Sequence, residues 1–187
     1  EDAVGAILAH KLYDGNAKMV FNKGHIITED DIAVLRRHNL ETVTVKQLGA
    51  SDLHEDAAAD RIGTAVAGTN VNMRTPGVGR ANLTADKRGV LHVNVPDLEL
   101  LNNIYDGITI ATLREFTVVD EGEMVALVKV VPFGIPEARV IDVERIASAT
   151  RDILSVQPLL KKRVALIVSG TESTRDRLMN SFCSPIQ

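Results

Sequence analysis

The chain has 187 residues and a net charge of −4; it is 45% hydrophobic and 25% charged, with 3% aromatic residues and no tryptophan. That is enough for one well-buried domain of about 100–150 residues plus a further piece, with a core drawn from Val, Ile, Leu and Ala. The acidic balance argues against non-specific binding to nucleic acid or anionic membranes. No apolar run approaches the roughly 18 residues needed to cross a bilayer, and the single cysteine, Cys183, excludes an internal disulfide framework or a Cys-based zinc cluster.

Ala3–Leu12 is apolar with an unsettled period: Val4, Leu8 and Leu12 fit a helix, while Val4, Ala6 and Leu8 fit a strand. Tyr13–Lys18 reads as a loop, Val20-Phe21 as a short extended piece, and Asn22-Lys23-Gly24 as a turn. Thr28 followed by Glu29-Asp30-Asp31 places a hydroxyl cap and three acids at the positive end of a helix. Arg36-Arg37 suit its last turn, Asn39 can take the left-handed conformation that stops it, and Leu40 can fold back. Thr42–Val45 then reads as a strand.

Asp52–Ala67 is predicted as a second helix, with Asp52 as cap and Glu55 at the third helical position. Its inner side is mainly alanine with Ile62, which suits close packing. Gly68–Gly79 reads as a loop rich in Gly, Asn and Thr. Ala81–Ala85 and Val90–Val95, around Asp86–Gly89, have the pattern of a hairpin, with Leu91, Val93 and Val95 alternating with His92 and Asn94. A short helix is predicted over Asp97–Tyr105, strands over Gly107–Leu113, Phe116–Val119 and Met124–Val131, and a helix over Asp142–Leu154. Ser155–Arg163 reads as a linker, and the domain division falls at residues 1–157 and 158–187.

Most chemistry-bearing residues have a structural explanation. His54-Glu55 lacks the second histidine of a metalloprotease helix, since Ala58 stands four positions on, and a capping box accounts for Glu55. The other histidines share no metal-ligand spacing. Helix-dipole compensation explains Glu29-Asp30-Asp31, and Cys183 has no evident base.

Val164–Phe182 is different. Val164-Ala165-Leu166-Ile167-Val168 reads as a strand buried on both faces. A polar stretch, Ser169–Cys183, follows; it exceeds the usual βα connection of about 2–6 residues. Ser184-Pro185 has the marks of a helix start. A strand, a loop and a helix N-terminus form the opening unit of an open α/β sheet, whose ligands sit past the strand's carboxyl end. The loop's hydroxyls, acids and arginines suit a polyhydroxylated or phosphorylated small molecule. The composition alone equally suits an unstructured end.

These residues resemble the start of the molybdopterin-binding domain of molybdenum-cofactor biosynthesis proteins. Ser169-Gly170-Thr171-Glu172 matches the family's Thr/Ser-Gly-x-Glu segment, and Asp176–Phe182 matches a Gly-Arg-Ile-x-Asp-x-Phe-like segment. Asp176 replaces the family's glycine and Asn180 its aspartate. Upstream, Asp2–Gly5, Lys23–Ile27, Glu29–Ile32, Leu53–Ala58, Ile110–Thr112 and Gly122–Ala126 running on to Pro132 resemble the region preceding that domain in one bacterial and archaeal branch.

The resemblance implies an α+β N-terminal domain of mixed strands and short helices, followed by the first βα segment of a truncated α/β domain. It implies molybdopterin as the ligand of the intact protein and a role in molybdenum cofactor assembly, with Ser169, Gly170, Thr171, Glu172 and Asn180 as contacts. Glu172 would orient a pterin amine or a hydrated metal ion such as magnesium. A chain holding so little of that domain is expected not to retain the pterin. The implied reaction is open: a non-enzymatic interaction or regulatory module and a nucleotide hydrolase are the alternatives. The acidic start, Glu1-Asp2, carries no basic-then-apolar leader, so a cytoplasmic protein is expected, without nucleic-acid or membrane partners and with homo-oligomers permitted.

Overall fold

The computed structural model describes residues 2–163, 165, 167 and 169–182. The first part of the chain is built from short pieces: β1 (Ile7–Leu8), β2 (Leu12–Tyr13), β3 (Met19–Phe21), α1 (Glu29–Arg37) and β4 (Val45–Lys46). β1 pairs antiparallel with β4, and β2 with β3. Ala6, Ile7, Leu8, Ile27 and Leu35 are buried together here. The ambiguous apolar segment at 3–12 is thus neither one helix nor one strand. It is two short strands, separated by a bend and paired to partners at least six residues away.

α1 follows its local signals closely. The Asp31 N–H donates to Thr28 Oγ1, and the Thr28 N–H donates back to Asp31 Oδ2 at 2.9 Å, a complete capping box. Asp31 Oδ2 also lies 2.8 Å from His25 Nε2. At the other end Asn39 takes φ 54°, and the Leu40 N–H reaches back to the Leu35 carbonyl at 3.0 Å. The following strand is shorter and later than predicted, only Val45–Lys46.

The larger part contains β5 (Asp52–His54), α2 (Glu55–Val66), β6 (Val71–Gly77), β7 (Arg80–Ala85), β8 (Gly89–Val93), α3 (Val95–Asn102), β9 (Ile108–Thr112), β10 (Val118–Val119), β11 (Met124–Val130), β12 (Gly134–Pro136), α4 (Glu137–Ala149) and β13 (Leu154–Pro158). A four-stranded antiparallel sheet runs in the order β6-β7-β11-β9, a three-stranded one β10-β8-β13, and β5 pairs with β12. The fold is α+β. One apolar cluster fills the space between these layers, with Ile62, Val66, Leu83, Leu91, Val128 and Leu154 essentially inaccessible.

α2 packs on the four-stranded sheet through its small face, Ala58, Ala59 and Gly63, all buried. A methyl group at Gly63 would stand 2.6 Å from Ala81 Cβ, so this glycine sets how closely helix and sheet approach. On its other side Arg61 forks Glu144 of α4 with two bonds of 2.7 Å and reaches Glu137 at 2.7 Å.

Several sequence expectations are corrected. α2 begins at Glu55, not Asp52, because residues 52–54 pair as a strand with residues 134–136. The predicted loop 68–79 contains β6: Val71, Met73 and Thr75 are half-buried while Asn72, Arg74 and Pro76 are exposed. Pro76 falls where the register shifts between Arg74 and Gly77, a place that asks for no ladder N–H. The predicted hairpin does not form, since β7 pairs with β6 and β11 whereas β8 pairs with β10 and β13. α4 starts at Glu137, and Leu154 belongs to β13, so the expected linker opens with a core strand.

After β13 the expected two-face-buried strand is not seen among the described residues. Ala165 and Ile167 lie outside any strand and are exposed, Ile167 at 91%; neither has a strand beside it that would cover its side chain. Val164, Leu166 and Val168 lie outside the described residues, as do Cys183 and the helix start predicted at Ser184-Pro185. The stretch expected as an irregular loop forms a 3-10 turn at Glu172–Thr174 and then α5 (Arg175–Phe182).

Candidate functional site

Residues 169–182 are arranged around their own short helix. Ser169, Gly170, Thr171, Glu172 and Asn180 are all exposed. The Thr171 hydroxyl lies 3.1 Å from both Ser173 Oγ and Thr174 Oγ1, and Thr174 Oγ1 donates to the Thr171 carbonyl at 2.9 Å. A methyl group at Gly170 would meet Leu178 Cδ1 at 2.7 Å, so Gly170 packs against α5. Glu172 opens the 3-10 turn, and Asn180 lies in the second half of α5. The first four of these residues run in sequence into the 3-10 turn, which only Glu172 belongs to, and Asn180 lies on the adjoining helix; none of the five lines the cleft described next.

That cleft, about 700 Å³, lies where the first part of the chain meets the four-stranded sheet. Lys11, from the bend before β2, and the turn Asn22-Lys23-Gly24 after β3 form one side. Val78 and Arg80 from the β6–β7 turn, with Lys129 and Val131 at the end of β11, form the other, and Glu55 completes the lining. The Lys23 ammonium stands 5.1 Å from the centre of the Phe133 ring, a cation–π contact that places it on the larger part of the chain. Four cationic residues therefore converge in a protein whose net charge is negative. The side chains of Lys11 and Arg80 have no hydrogen-bond or ion-pair partner among the described residues.

The β6–β7 turn shapes the cleft. Gly77, Val78 and Gly79 all have positive φ, at 91°, 52° and 65°. The turn is tied down by the Gly79 N–H donating to Asp56 Oδ1 at 2.7 Å, by the Val130 N–H donating to the Gly79 carbonyl at 2.8 Å, and by the Lys129 ammonium donating to the Val78 carbonyl.

Glu55 is the buried acid of this arrangement, 7% exposed and the first residue of α2. Its N–H donates to the Phe133 carbonyl at 2.8 Å, which fixes the start of the helix beside the end of the sheet. Its carboxylate is 4.0 Å from the Lys129 ammonium, an ion pair too long for a hydrogen bond. Burial pushes the Glu55 carboxyl above the usual range; Lys129 opposes this most, Asp56 reinforces it, and His54 and Lys23 oppose it further. The capping-box role predicted for Glu55 is therefore corrected. The α2 cap is His54, whose Nδ1 accepts from the Asp56 N–H at 3.2 Å, and its Nε2 is a buried nitrogen without a hydrogen-bond partner among the described residues.

Cationic walls suit an anion of small-molecule size, bound by ammonium and guanidinium groups, of which Lys11 and Arg80 have no partner among the described residues. No group of three or more His, Cys, Asp or Glu among the described residues could hold a metal ion. No helix among them is long and apolar enough to cross a membrane. Sequence reasoning missed the cleft, because its residues come from positions 11, 23, 55, 80 and 129, joined only by the long-range pairing of β11 with β7 and by the docking of the first part of the chain. The one usable signal was a glutamate immediately after His54 at the start of an alanine-rich helix face.

Residues 1–47, which hold β1 to β4 and α1, match a family described as "Domain of unknown function (DUF8806)". No curated protein and no solved structure matches the chain.

Proposed function

We propose that the intact protein binds a phosphorylated small molecule of the molybdopterin class and serves molybdenum cofactor biosynthesis, and that the cleft of this chain takes the phosphate group. The observation that carries this reading is the convergence of Lys11, Lys23, Arg80 and Lys129 on one cleft of ligand size in a protein of net charge −4. A phosphate group is the ligand part such a cleft suits: compact, doubly charged near neutral pH, and matched to the fork of an arginine and the point charges of lysines. The pterin enters through the resemblance of Ser169–Glu172 and Asp176–Phe182 to the molybdopterin-binding domain. On this reading the exposed Ser169, Gly170, Thr171, Glu172 and Asn180 add contacts of their own in the intact protein, from a segment outside the cleft.

Titration of the protein with inorganic phosphate, followed by NMR, tests the cleft. Resonances of Lys11, Lys23, Gly24, Gly79 and Lys129 should move together and saturate, and the paired substitutions Lys11→Gln and Arg80→Gln should weaken binding about tenfold, or about 1.4 kcal/mol. Unchanged cleft resonances through the titration would exclude the proposal.

A further inference from the structure

The Glu55 carboxylate is nine-tenths buried, lines the cleft, and accepts no hydrogen bond from any described residue. Its charged neighbours are Lys129 on β11 at 4.0 Å, Asp56 and His54 beside it in the chain, and Lys23 across the cleft, with Lys11 and Arg80 further along the lining. None of these supplies a hydrogen bond to its oxygens. An ionised carboxylate is acceptor-only, with lone pairs on both oxygens to fill. Glu55 lines the cleft and its oxygens are not sealed off from it, so a donor on a ligand can reach them.

We infer that Glu55 is a specificity-determining acceptor: the cleft takes anions that bring their own hydrogen-bond donor beside the negative charge and disfavours anions that have none. This inference rests on the anion-binding reading of the cleft. The cationic walls supply attraction common to all anions, which cannot distinguish among them. The carboxylate adds the discrimination, because an anion without a hydrogen presents lone pairs to lone pairs and like charge to like charge. An anion with a P–OH, or with an N–H or O–H close to its charged group, turns the same contact into a charge-assisted hydrogen bond. A phosphorylated heterocycle with ring or exocyclic N–H groups is the ligand class that meets both demands.

Inorganic phosphate and sulfate separate the two contributions cleanly. At about pH 8 both are dianions of similar size, and phosphate alone keeps one hydrogen. Binding of each to the unsubstituted 187-residue protein should favour phosphate by about tenfold or more, a comparison that needs no variant. Glu55→Gln, which offers an N–H in place of an oxygen, should remove the preference, chiefly by tightening sulfate. His54→Gln should leave it in place. Equal affinity for the two anions in the unsubstituted protein, a preference that survives Glu55→Gln, or one that disappears in His54→Gln, would each overturn the inference while leaving the cleft an anion site. Binding of neither anion would overturn it together with the reading on which it rests.

Discussion

Gly79 and Glu55 are matched in shape: a methyl group on Gly79 would stand 2.8 Å from Glu55 Oε2 and 2.5 Å from the Val130 carbonyl. The second contact is with backbone, which has nowhere to go, and φ at this position is +65°. Gly79→Ala should therefore destabilise the protein by about 2 kcal/mol, measured by urea denaturation. A loss within the noise of that measurement would mean the β6–β7 turn is far more compliant than its hydrogen bonds to Asp56 and Val130 imply.

Glu55 itself makes stability depend on pH in the opposite direction to an ordinary paired carboxylate. Burial raises its pKa in the folded state, so the folded chain holds the proton more firmly than the unfolded chain does. Its contribution is full below the ordinary glutamate range and is lost as pH rises through the folded-state value. Glu55→Gln should raise the melting temperature by about 2–4 °C on the alkaline side of that transition and leave it nearly unchanged on the acid side. A uniform shift at all pH values would assign the effect to packing alone.

Arg61 joins α2 to α4 through Glu144 and Glu137. The bonds from Arg61 hold the Glu144 carboxyl below the usual carboxylate range, against a smaller opposing effect of burial. Here the stabilisation is present above the unfolded-state pKa and is lost as pH falls through the folded-state value. All three side chains are about a third exposed or more, so screening keeps the contribution modest. Arg61→Met should cost about 1 kcal/mol at neutral pH. In acid the variant and the parent should converge; a gap of constant size would show that the guanidinium stem, not its charge, holds the helices together.

The capping box of α1 can be examined separately. Thr28→Ala leaves the Asp31 N–H without its acceptor and should lower stability by about 1 kcal/mol. Hydrogen exchange should quicken in the first turn of α1 and remain unchanged in α2, whose cap is a different residue. Equal loosening of both helices would indicate that the first part of the chain and the larger part unfold as one unit.

What could be read from the sequence was what is decided locally. The Thr28–Asp31 box, the left-handed Asn39, and the strands at 108–112 and 124–130 follow from side chains within a few residues of one another. The errors share a cause: long-range pairing won over a local signal. Asp52 and Glu55 have the spacing of a capping box, yet residues 52–54 extend to meet 134–136 and the helix starts three residues later. Ala81–Ala85 and Gly89–Val93 flank an apparent turn, yet each strand finds partners in a different sheet. The cleft was least legible of all, because five residues scattered over more than a hundred positions have no common period. The resemblance drew attention to residues 169–180, which lie outside the cleft; the cationic lining emerged only with the packing of the first part of the chain against the sheet.

The pairing of β13 with β8 sets an order on how the protein can be made. Leu154 lies opposite Val93 and Pro158 opposite Gly89, and the Leu154 carbonyl also accepts the Gly68 N–H just beyond α2. Until Pro158 is clear of the ribosome, β8 has only the two-residue β10 beside it, and the end of α2 lacks the strand that closes over it. This part of the fold is therefore closed late in synthesis, after the 60 residues between Val93 and Leu154 have already been made, a slow non-local closure of the kind that exposes unfinished sheet edges. The small unit of β1, β4 and α1, with all its partners inside the first 46 residues, can form long before. The nascent chain thus carries a finished head and an open body for most of its time on the ribosome, and that open body is the state on which chaperones would act.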